Sequence, residues 1–96
     1  MSDNIRFEWD AAKAEANLRK HGISFELAVQ VFTDPMHVSD HDRIEGGEYR
    51  WQTIGMVEAV RMIVVAHTWR EDDGTEVIRI ISARAAERAE RRRYEQ

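Results

Sequence analysis

The chain has 96 residues with 43% hydrophobic content, enough for one packed domain over 1–96 and too little for two separate cores. It has no cysteine, which excludes disulfide scaffolds, thiolate zinc sites and cysteine nucleophiles. The net charge of −4 disfavours nucleic acid as an average, yet residues 1–78 carry eight Lys/Arg against fifteen Asp/Glu, while 79–96 carry six Arg against three Glu.

No apolar run follows Met1-Ser2-Asp3-Asn4, and the longest run, Met62 to Ala66, is far too short to span a bilayer. The expectation is a soluble cytoplasmic protein with no membrane partner. Ile5 to Trp9 alternates apolar and charged residues and predicts a half-buried strand. Asp10 is placed to cap a helix through Lys20, with Leu18 on its buried face, and Gly22 to stop it in a left-handed conformation. Ser24 caps a second predicted helix, Phe25 to Phe32, ended by Asp34-Pro35. Strands are predicted at Met36 to Asp42, Tyr49 to Met56, Arg61 to Arg70 and Glu76 to Ala83, punctuated by Gly46-Gly47 and Asp72-Asp73-Gly74. Short connections imply antiparallel pairing. Arg84 to Tyr94, rich in Ala, Glu and Arg, predicts a final helix. The fold class is α+β: an antiparallel sheet with an N-terminal strand, a helix hairpin and a short C-terminal helix.

Met62 to His67 is apolar on both faces, as in a central strand. Arg79 lies among Val77, Ile78, Ile80 and Ile81, where an arginine snorkels, pairs with a carboxylate or points into a site. A two-residue Asp73-Gly74 turn sets Thr68 opposite Arg79; an odd-length loop sets His67 there, and the sequence leaves both open. Arg50 and Arg84 complete four basic groups that converge if the strands neighbour one another in chain order. By residue type, His67 with Arg50, Arg79 and Arg84 suits metal-free RNA cleavage, which needs proton transfer and cations for the phosphorane. Tyr94 is an auxiliary donor or stacking group, and Arg88 and Arg91 are further RNA-binding candidates. The cluster His37, Asp40, His41 and Asp42 looks metal-like, but on a strand His37 and His41 share one face and Asp40 and Asp42 the other, so neither metal nor cofactor is expected. Trp9, Trp51 and Trp69 read as core or partner-surface anchors.

Phe7-Glu8-Trp9-Asp10, Asn17 to Phe25 (Asn-Leu-Arg-Lys-His-Gly-Ile-Ser-Phe), Val31 to Pro35 and Gly47 to Trp51 occur in an order that continues through Val64 to Thr68, Ile78 to Arg84 and Glu90 to Glu95. Together they resemble the BrnT toxins of bacterial type II toxin–antitoxin systems. The resemblance implies a RelE-like ribonuclease fold and metal-independent RNA cleavage that arrests translation. It also implies a ribbon-helix-helix antitoxin of the BrnA type, a complex with two copies of each chain, and operator DNA reached through that antitoxin. Arg50, Arg79 and Arg84 stand in the matched motifs, and His67 in a matched stretch. The alternatives are a non-catalytic interaction protein docking an acidic partner through its arginine-rich end, or a chain that binds DNA itself.

Overall fold

The computed structural model describes residues 4–96; Met1-Ser2-Asp3, part of the stretch read for a leader, lies outside the described residues. Strand β1 (Ile5–Glu8) leads into helix α1 (Ala11–His21), then α2 (Phe25–Val29) and a 3₁₀ turn (Gln30–Thr33). Four strands follow, β2 (Val38–Glu45), β3 (Glu48–Val57), β4 (Arg61–Asp72) and β5 (Thr75–Ala85), before helix α3 (Arg88–Glu95). They form one five-stranded sheet in the order β1-β5-β4-β3-β2, so the doubly apolar β4 is central as predicted.

The four later strands are antiparallel, whereas β1 joins β5 in parallel. Connection lengths constrain consecutive strands only, so nothing local in the sequence reveals the neighbour of β1.

The caps form as the sequence predicts. Asp10 Oδ1 accepts from the Lys13 amide at 3.0 Å, Gly22 takes φ +70°, and Ser24 Oγ accepts from the Leu27 amide at 3.0 Å. The second predicted helix tightens to 3₁₀ geometry after Val29. Leu18 is exposed, contrary to expectation, and Asn17 is buried in its place. The cause is the course of α1 along the edge of β5. Asn17 Oδ1 accepts from the Ala83 amide at 3.1 Å, and its Nδ2 donates to the carbonyls of Ala83 and Ile23 at 2.9 and 3.0 Å. The side chain thus satisfies strand groups that β1, paired only with residues 76–79, does not reach.

The main core lies on the helix-bearing face, where Ile23, Phe25, Ala28 and Val31 pack on Val57, Ile63, Val65, Ile80 and Ala83. At Gly55 an added Cβ would stand 2.8 Å from Val31 Cγ1 and Val31 O, so the glycine lets the 3₁₀ turn lie against β3. On the opposite face Ala86, just before α3, and Tyr94 within it cover a smaller cluster of Ile54, Met62 and Val64.

Arg84 does not begin the final helix: it lies in β5 opposite Val64. The ladder to β4 runs on to Ala85 and overrides the local Ala/Arg preference, and a capping box between Glu87 and Glu90 starts α3 later.

Candidate active site

The Asp73-Gly74 turn has both residues at positive φ, +53° and +81°, the geometry of a two-residue hairpin loop. It pairs Asp72 with Thr75 and Thr68 with Arg79. Thr68, not His67, therefore shares a face with Arg79.

His67 is fully buried on the helix-bearing face, its ring 5.0 Å from that of Phe32. Its Nδ1 lies 3.1 Å from the Thr68 carbonyl, which only accepts, so Nδ1 carries the proton. Nε2 then accepts from the Thr53 hydroxyl at 2.7 Å, and Thr53 Oγ1 accepts from Ser39 at 2.8 Å. Burial pushes the imidazole pKa down to about 4, against the opposing hydrogen bond to Thr68. His67 is thus a neutral strut within the sheet, closed to substrate, and the expected acid–base role does not fit its position. The physical reason is the hairpin register: one residue along a strand exchanges the faces.

On the open face a different set assembles. A cleft of about 110 Å³ is lined by Lys13, Glu48, Arg50, Thr68, Arg79 and Ile81. Each side chain arrives by an identifiable local device. Asp10 fixes the first turn of α1, which carries Lys13. The Gly46-Gly47 turn, both residues at positive φ, starts β3 so that Glu48 and Arg50 alternate onto one face. In β5, Ala66 pairs with Ser82 but His67 with Ile80, leaving Ile81 as an unpaired bulge. That extra residue brings Arg79 and Arg84, five positions apart, onto the same face; a regular strand would oppose them.

Two polar atoms in this cleft are buried without a hydrogen-bond partner, Arg50 Nε and Thr68 Oγ1. Buried polar groups are nearly always satisfied, so such a pair singles out these residues as a candidate binding site. Arg50, Arg79 and Lys13 form no ion pair among the described residues. Three cations outside any ion pair beside an orphaned hydroxyl suit an oxyanion, with Glu48 as the lining carboxylate and Glu8 and Asp10 bordering Arg79 on its other side.

The other expected residues lie elsewhere. Arg84 is held by Glu90 through two hydrogen bonds of 2.8 and 2.7 Å. Tyr94 donates to Asp34 Oδ2 at 2.6 Å, and that bond, with desolvation, holds its hydroxyl above the usual pKa. Arg93 meets Asp40. These contacts fasten α3 to the sheet, so Arg84 and Tyr94 are spent on structure. Arg88 is exposed on α3, and Arg91 borders Met62 and Ala86, six residues and roughly 20 Å along β4 from Thr68. Of the four expected catalytic residues, the structure brings together Arg50 and Arg79 only.

Sequence reasoning missed Lys13, Glu48 and Thr68. A signal existed for Lys13: it is a cation in the first turn of α1, a turn that holds no acidic residue, where the helix dipole favours an anion. His37 and His41 do not share a strand face as expected, because β2 begins only at Val38. The former lies before β2 with Nδ1 2.7 Å from the Asp34 carbonyl, and the latter packs on Tyr49 and Trp51.

The described helices include none long and apolar enough to cross a membrane. A search among curated proteins finds no match. Among solved structures, the chain is similar to the 1.1 Å crystal structure of the Brucella abortus ribonuclease toxin BrnT, with a TM-score of 0.61 and 22% identity. The match covers 88% of this chain and 99% of that one, and it supports the fold. A family model described as the ribonuclease toxin BrnT of a type II toxin–antitoxin system matches residues 9–90. That match spans most of the chain, which therefore belongs to the BrnT family of ribonuclease toxins.

Proposed function

We propose that the chain is a metal-independent endoribonuclease that arrests translation in the bacterial cytoplasm, with the Lys13–Glu48–Arg50–Thr68–Arg79 cleft as its active site. A BrnA-type antitoxin with a ribbon-helix-helix segment neutralises it in a complex of two copies of each chain, and that complex represses its own operon through the antitoxin's contact with operator DNA.

The observation that carries the site is the coincidence of two orphaned buried polar atoms with three unpaired cations. In the proposed reaction an RNA 2′-hydroxyl attacks the adjacent phosphorus. Glu48 takes the 2′-hydroxyl proton, and the P–O5′ bond breaks as Lys13 gives a proton to the departing 5′-oxygen, leaving a 2′,3′-cyclic phosphate. Arg50 and Arg79 bind the non-bridging oxygens and stabilise the charge that grows on them, with Thr68 Oγ1 completing the receptor.

The test is cleavage of a labelled RNA oligonucleotide by antitoxin-free protein in excess chelator. Arg50→Ala and Arg79→Ala should each lower the rate by about 10²–10³-fold, the scale for removing one donor to a developing oxyanion. Thermal stability of Arg79→Ala should be nearly unchanged, since the side chain is exposed. Rates near wild type in both variants would rule the cleft out as the site, and uncut RNA with the folded wild-type chain would rule out metal-independent cleavage.

A further inference from the structure

Helices α1 and α2 cover only part of their face of the sheet. Among the described residues the helix-bearing core reaches Phe32, whose ring packs on His67, and beyond it Ile44, Tyr49 and Trp69 of the β2–β3 hairpin and β4 are exposed. Cross-strand pairing sets Ile44 beside Tyr49 and His41 beside Trp51. The Trp51 and Trp69 rings meet edge to face at 5.6 Å, and the His41 ring lies 4.9 Å from Tyr49 and 5.7 Å from Trp51. Ile44 and Tyr49 are each 58% exposed and Trp69 39%, so this row is an apolar platform open to solvent. Three adjacent strands at roughly 4.8 Å spacing make it about 10 Å across, the width of one helix.

At one end lies a cleft of about 510 Å³ lined by Trp51, Trp69, Arg70, Glu71, Gly74 and Glu76. Glu71 and Glu76 are direct cross-strand partners, a placement in which like charges repel. Neither forms an ion pair among the described residues. Arg70, the cation that borders the cleft, has its guanidinium engaged by Glu8 at 3.3 Å. Trp69 Nε1 donates to Glu76 Oε1 at 2.8 Å and fixes both side chains at the rim. Two uncompensated carboxylates beside a tryptophan cleft repel phosphate, so the surface suits a polypeptide cation and disfavours RNA.

We infer that this platform docks the antitoxin, which lays an amphipathic helix across Ile44, Tyr49, Trp51 and Trp69 and sets a lysine or arginine between Glu71 and Glu76. The inference rests on reading the chain as a toxin that an antitoxin neutralises. Its energetic logic is that of a protein interface: aromatic anchors in a partly desolvated cleft supply most of the affinity, and the charged rim fixes orientation. The platform and the proposed catalytic cleft lie on opposite faces at the same end of the sheet, so the two surfaces can be altered independently.

The experiment is calorimetric titration of the antitoxin-free chain with its cognate antitoxin, alongside RNA cleavage by the same preparations. The Glu71→Arg/Glu76→Arg pair should raise Kd by about 100-fold and Trp69→Ala by about 30-fold, typical of interface anchors. Both should cleave RNA at the wild-type rate. Should Trp69→Ala fail to fold, Tyr49→Ala, on the exposed part of the row, takes its place with a similar loss expected. Kd values within threefold of wild type for the charge-reversed pair would overturn the inference, as would variants that lose RNA cleavage while keeping antitoxin affinity, because the platform would then bind RNA. A wild-type chain that binds antitoxin through this platform yet leaves RNA intact would instead refute the nuclease reading and leave the docking surface standing.

Discussion

His67 and Thr68 are neighbours in sequence with opposite fates. His67 has the residue type that proton transfer favours, yet it is sealed in the core as a neutral strut. Its depressed pKa has a consequence for stability. The unfolded imidazole takes up a proton near pH 6.5 and the folded one only near pH 4. Unfolding therefore binds a proton between those values, and the contribution present above pH 6.5 is lost as pH falls through about 4. Over 2.5 pH units the full effect is about 3 kcal/mol. Urea denaturation from pH 7.5 to 4 should show this loss in wild type and its absence in His67→Gln, which does not titrate; parallel curves would contradict the buried neutral state. Residue type made His67 the obvious candidate in the sequence, and Thr68 had no such appeal. Only the hairpin register revealed that Thr68, and not His67, shares a cleft with Arg50 and Arg79.

Among the elements, the ones most legible in sequence were those with local causes. Asp10, Gly22 and Ser24 cap and stop helices through contacts a few residues long. The boundaries that moved had distant causes: the ladder from β4 holds Arg84 in β5, and the contact with β3 accompanies the tightening of α2 into a 3₁₀ turn. At Gly55 that contact leaves no room for a side chain. Gly55→Ala would force a methyl against the Val31 backbone oxygen at 2.8 Å, which cannot rotate away as a side chain can. The expected cost is about 1–3 kcal/mol, the usual range for overpacking a core, measured as a lower midpoint in urea with an unchanged slope. An unaltered midpoint would mean that the 3₁₀ turn shifts freely over β3. The β5 bulge at Ile81 acts through the same logic of position, since it decides which arginines share the open face.

At the scale of the whole molecule, charge is segregated by face and by fastening more than by sequence segment. Arg84 and Arg93, in the basic C-terminal stretch, are paired with Glu90 and Asp40. Two of the three cations in the proposed cleft, Lys13 and Arg50, come from the acidic stretch before residue 79. An overall charge of −4 is therefore compatible with a local anion receptor. If the three cations each meet one phosphate, the logarithm of RNA affinity should fall with the logarithm of salt at a slope of about −2, or roughly 15-fold between 50 and 200 mM. Fluorescence anisotropy with an uncleavable 2′-deoxy oligonucleotide measures it, and a slope near zero would contradict ionic binding in the cleft.

Taken alone, the sequence determined the helix caps, the places of the hairpin turns, the central place of β4 and the resemblance to the BrnT toxins. These depend on short-range geometry, hydrophobic period and motif order, all of which are written in neighbouring residues. Tertiary structure decided the parallel pairing of β1, the burial of Asn17 and His67, the fastening of Arg84 and Tyr94, and the meeting of Lys13 with Arg50 and Arg79. Each of those depends on contacts between distant segments, and the faces taken by His67, Thr68, Arg79 and Arg84 depend on strand register and a single bulge. A strand repeats every two residues, so one residue of slip exchanges core for surface, and composition leaves no trace of the choice.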